Sequence, residues 1–148
     1  VASVCISNMG QMPNPNEEVM AALAESEQID SGEALLLAVA STDAKGCILT
    51  GDKRALRALA LHGCASIFVG TILVIEQIIF ECLQVKGREW ILENICPYKN
   101  VDKAISNILG SQCDGSMESI VEGINSYITE LVRLHDPRLL RDAVKLQN

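Results

Sequence analysis

Residues 29–54 constrain the fold more than any other stretch, because one helical run and one apolar run follow each other directly across them. Ser31 opens the helix, an alanine- and leucine-rich segment carries it to about Lys45, and Gly46 stops it. Residues 47–50 read Cys-Ile-Leu-Thr, which is short, apolar and compatible with a strand buried on both faces. Roughly twelve helical steps at ~1.5 Å lead ~18 Å outward, and about five strand steps at ~3.3 Å lead ~16 Å back. The two paths nearly cancel. Glu33, in the first helical turn, and Asp52, just past the strand, are therefore expected at one end of the domain. In an open parallel sheet that end is where ligands bind. Two carboxylates converging there suit a hard divalent cation, which takes oxygen ligands.

Each carboxylate also has a purely structural reading. Acids are common in first helical turns, where they complement the helix dipole, and Glu33 sits in one. Asp52 would serve as an ordinary N-cap for a helix over 53–61. Spacing alone leaves both readings standing.

The string Asp30-Ser-Gly-Glu-Ala-x-x-Leu-Ala-x-Ala, followed by Leu49-Thr-Gly-Asp-Lys-Arg-Ala, resembles the second half of a PIN domain. That family comprises small metal-dependent ribonucleases and includes bacterial toxin-type members of toxin–antitoxin pairs. The run Ser66-Ile-Phe-Val-Gly-Thr resembles the family's next strand and its turn into a helix, so the likeness covers about residues 14–85. It implies a three-layer α/β fold around a parallel sheet. It also implies hydrolysis of RNA with Mg²⁺ or Mn²⁺ held by Glu33 and Asp52. Thr50 would orient Asp52 or the attacking water, and Asp30, one turn before Glu33, would be an outer acid of the metal site. Asp43 falls at the opposite end of the helix by the length argument and is excluded.

The chain departs from the family pattern upstream. PIN centres also use an Asp at the end of the first strand and commonly a Glu further along, whereas residues 1–7 are strand-like but carry no acid, and Glu17 and Glu18 come first. The expectation is a domain lacking its leading segment, with a degenerate relative as the alternative. Residues 1–96 are assigned to this N-terminally incomplete α/β domain, and residues 97–148 to a helical extension packed on it.

Composition narrows the partners. Aromatic residues make up 3% of the chain, too few and too scattered for the stacking platforms that grip single strands. Residues 1–52 hold eight acids against Lys45 alone, while residues 53–148 hold eleven of each sign, so the net charge of −7 resides in the first part. Nucleic-acid binders normally show a basic face. Here Lys53, Arg54 and Arg57, flanking Asp52, are the local candidates for an RNA backbone, or else the solvated face of a surface helix.

The six cysteines form no CxxC pair, and only His62 and His135 could join them, which argues against a zinc module. Free thiols throughout are expected, in a reduced, cytoplasmic protein. The apolar run 67–80 is broken by Glu76 and Gln77 well short of a membrane span. It reads as a strand over 65–69 and a helix from about Ile72.

The remainder reads as helical. Helices are expected from Asn14 to about Ser26, over 88–95, 101–109 and 116–134, and over 137–146 with Asp136 as cap. In 116–134, Ile120, Val121, Ile124, Tyr127, Ile128, Leu131 and Val132 form an amphipathic stripe. It folds back on the main domain, or it serves a homodimer or a partner protein, as a non-catalytic interaction module would use it.

Overall fold

The computed structural model describes residues 12–43, 46–134 and 136–141; the strand-like run 1–7, Lys45, His135 and the expected helix beyond 141 lie outside them. Helix α1 (Glu17–Ala24) starts at Asn16, whose side-chain oxygen accepts from the Glu18 and Val19 amides, two residues later than expected. Helix α2 (Ser31–Ala40) starts where the sequence indicates, capped by Asp30. It stops sooner than expected. The Ser41 and Thr42 hydroxyls donate to the Ala38 and Val39 carbonyls (2.8 and 2.7 Å), the local competition that unwinds a last turn.

Strand β1 (Ile48–Thr50), helix α3 (Lys53–Leu61), a 3-10 turn (Ala65–Phe68) and strand β2 (Ile72–Val74) follow. Then come α4 (Ile75–Lys86), α5 (Arg88–Asn94), a 3-10 segment (Cys96–Val101), α6 (Lys103–Leu109), α7 (Met117–Leu134) and a last 3-10 turn (Pro137–Leu139).

The expected three-layer α/β fold is not what forms. The described residues are mostly helical, and their sheet holds two parallel strands, pairing Ile48 with Ile72 and Thr50 with Val74. Two misread segments explain much of the difference. Residues 65–68 coil into a 3-10 turn that buries Phe68; Gly70, at φ +66°, then redirects the chain. The strand therefore forms later, where Ile72 and Val74 enter the core, and the helix begins at Ile75. Residues 137–139 make one 3-10 turn rather than the start of a long helix. Leu140 then bridges to Ile72 in parallel, while the buried Gln77 amide donates to the Arg141 carbonyl and its oxygen accepts from the Val74 amide.

Two apolar clusters organise the packing. The first joins α1, α2, β1, α3 and β2 through residues such as Leu23, Leu37, Leu59 and Phe68, and it recruits Leu131 and Leu139 from far along the chain. The second joins α4 to α7 through Leu83, Ile91, Leu109, Ile120 and Ile124. The stripe of α7 is thus largely covered by this chain's own helices. Gly123 permits the close approach of α7 to α6, since a Cβ there would stand 3.3 Å from Ile108 Cγ1. Against the expectation of free thiols throughout, Cys96 and Cys113 form a disulfide, their Cα atoms 6.3 Å apart because the α6 loop folds back. Cys47, Cys64 and Cys82 are free. Among the described residues no helix is long and apolar enough to cross a membrane.

Candidate functional site

β1 delivers Asp52 to the start of α3. The Thr50 hydroxyl oxygen accepts from the Asp52 amide at 3.0 Å, which fixes the turn. Asp52 Oδ1 in turn accepts from the Arg54 amide at 2.7 Å, so the N-cap expected from sequence is present. The same carboxylate takes two-pronged hydrogen bonds from Arg54, through Nε and Nη2, the latter at 2.5 Å from Oδ2. Those bonds are the main reason that its pKa lies below the ordinary carboxylate value.

Glu33 and Asp30 lock each other at the start of α2. Asp30 Oδ1 accepts from the Glu33 amide at 2.8 Å and Glu33 Oε2 from the Asp30 amide at 3.2 Å, a reciprocal capping box. Both structural roles foreseen for the two acids are therefore real. The helix and strand paths nonetheless bring the ends together: Glu33 and Thr50 line one apolar depression of about 210 Å³ floored by Ile48, Leu56 and Ile72. Arg54 is held charged chiefly by Asp52, with further electrostatic support from Glu33 and Asp30. One guanidinium lies in the field of all three carboxylates.

The donors are of the right kind for an oxygen-seeking cation, and a positive group already sits among them. Mg²⁺ commonly takes one or two protein carboxylates and fills its shell with water and phosphate oxygens. Among the described residues no group of three or more His, Cys, Asp or Glu is disposed to hold a metal by itself. An ion at this edge must displace Arg54. That side chain is 73% exposed, where solvent screens an ion pair, so displacement is cheap.

The basic trio does not act as one face. Arg54 is spent on Asp52, and Arg57 is exposed. Lys53 turns the other way, its ammonium 4.8 Å from the centroid of the Tyr127 ring. It enters a separate cleft of about 210 Å³ lined by Gly51, Lys53, Glu76, Asp102, Lys103, Ala104, Asn107 and Tyr127. Sequence reading missed this cleft. Its one visible signal was Glu76 interrupting an apolar run, noticed only as evidence against a membrane span.

Comparison with family models, with curated proteins and with solved structures finds no match.

Proposed function

We propose that the chain is a divalent-metal-dependent ribonuclease working at the Glu33–Asp52 edge. The observation that carries this reading is that Glu33, from the start of α2, and Thr50, two residues before Asp52, line one depression. Local capping explains each acid alone; it does not explain why the start of α2 and the end of β1 meet there. Asp52 and Glu33 would hold Mg²⁺ or Mn²⁺, which when bound polarises a phosphoryl oxygen and acidifies a water. Thr50 keeps Asp52 in place through its hydrogen bond to the Asp52 amide. Asp30 pins Glu33, and Arg57, exposed one turn into α3, is free to meet a phosphate of the RNA backbone.

The experiment is cleavage of a fluorophore-quencher RNA with and without Mn²⁺, using the parent, Glu33→Gln and Asp52→Asn. The proposal expects metal-dependent cleavage that both variants lose while keeping helical content. Cleavage indifferent to metal, or unaffected by both substitutions, refutes it.

A second reading, a non-catalytic interaction module, draws support from the Asp52–Arg54 clasp, which already neutralises the best metal ligand. Arg54→Ala separates the two. A ribonuclease gains metal affinity when the competing cation is removed, whereas a module gains none.

A further inference from the structure

Glu76 lies in the first turn of α4 with only 2% of its surface exposed, and among the described residues its carboxylate has no hydrogen bond or ion pair. A buried carboxylate without a counter-charge is strongly disfavoured. The α4 dipole offsets part of this, but a dipole serves an exposed acid equally well and requires no cleft. Across the same cleft stand Lys53 and Lys103, neither ion-paired, although two carboxylates line the same walls. Asp102 spends Oδ1 on capping α6 and turns Oδ2 toward Gly51, where a Cβ would lie 3.8 Å from it. The Tyr127 hydroxyl accepts from Asn107 Nδ2 at 2.8 Å and keeps its own proton to donate. Unpaired charges of both signs therefore share one small space.

We propose that this cleft binds a small zwitterion, a free amino acid, whose ammonium meets Glu76 and Asp102 and whose carboxylate meets Lys53 or Lys103. A bare divalent cation is repelled by the two ammoniums, and an isolated phosphate by the two carboxylates. A ligand carrying both signs satisfies every wall. Its size is limited too, because about 210 Å³ is below the ~300–1,000 Å³ of drug-sized sites. Only Lys53 is common to the cleft and to the basic residues flanking Asp52, and no ribonuclease activity is required for the cleft to fill.

The test is thermal melting and isothermal titration of the full chain with each of the standard amino acids at millimolar concentration. The N-acetyl and methyl-ester forms of the best binder are then titrated. The proposal expects a saturable rise in Tm of a few degrees with one or a few amino acids. It also expects about tenfold or greater loss when either charge of the ligand is blocked or when Glu76 is changed to Gln. If Glu76→Gln does not fold by circular dichroism, Lys53→Met or Lys103→Met must show the loss instead. The inference is overturned if no amino acid raises Tm, if either blocked form binds as well as its parent, or if the folded variant binds undiminished.

Discussion

Asp52 and Asp136 each cap a helical turn and each grip an arginine two residues further on. The Arg54 and Arg138 amides donate to Oδ1 at 2.7 and 3.0 Å, and both guanidinium groups close on their carboxylate through Nε and Nη2. Exposure hardly differs: the aspartates are 21% and 18% exposed and the arginines 73% and 66%. Sequence explains the likeness, since Asp52-Lys-Arg and Asp136-Pro-Arg are one local pattern. The surroundings differ. Arg138 is held charged by Asp136 alone, whereas Arg54 also feels Glu33 and Asp30 from α2. The clasp is thus a capping habit that marks no site. A site needs further acids from a second chain segment; α2 supplies them near Asp52, whereas the segment that meets Arg138, at Val69 and Gly70, carries none. Asp136 serves as the internal control.

The largest separation is expected in activity. Asp52→Asn or Glu33→Gln lowers metal-dependent RNA cleavage by about a hundredfold or more, while Asp136→Asn leaves it unchanged; single-turnover kinetics on the three variants measures this. In stability the order is set by the helix each residue caps. Asp52→Ala frees the first amides of the nine-residue α3 and costs about 1 kcal/mol in urea unfolding, and Asp136→Ala, above a three-residue turn, costs less. Equal losses would mean that the caps are not what these residues do.

Removing the arginines gives a smaller effect. Arg54→Ala tightens Mn²⁺ binding about two- to fivefold, the scale of an exposed ion pair, and Arg138→Ala does nothing to it. Calorimetric titration reads both. The last effect is on titration. Asp136 is lowered to about 2 by the Arg138 hydrogen bonds, and Asp52 is lowered by those of Arg54. A depressed carboxyl favours the folded state above its unfolded pKa, near 3.8, and that contribution fades as pH falls from there through the folded value. Both carboxyls should therefore titrate below the usual range by NMR. Arg138→Ala should raise Asp136 alone, though the residue-138 amide still holds it below its ordinary value, and Arg54→Ala should raise Asp52 alone.

The sequence was legible wherever local chemistry dominates. The start of α2 at Ser31, the cap at Asp52 and the stripe of α7 follow from residue types within one or two helical turns. That Glu33 and Thr50 line one depression was legible from counting rise per residue, which requires no knowledge of the core. What was lost depends on distant partners. Residues 65–69 are as β-compatible as residues 72–74, and only the burial of Phe68 and the turn at Gly70 shift the pairing to Ile72. Leu140 pairs with Ile72 across nearly half the chain, and Gln77 fixes Arg141 there. Helical periodicity in 137–146 carries no trace of that contact. The cleft around Glu76 was hidden for the same reason, its walls coming from the turn after β1 and from α3, α4, α6 and α7.

Paramagnetic broadening by Mn²⁺ distinguishes the two aspartates without relying on catalysis. In an amide NMR titration at substoichiometric Mn²⁺, the signals of Asp30, Glu33, Gly51 and Asp52 should vanish first while those of Asp136 and Arg138 stay sharp. Broadening that is equal at the two clasps, or that spares α2, would show that the acids of residues 30–52 form no shared ion site.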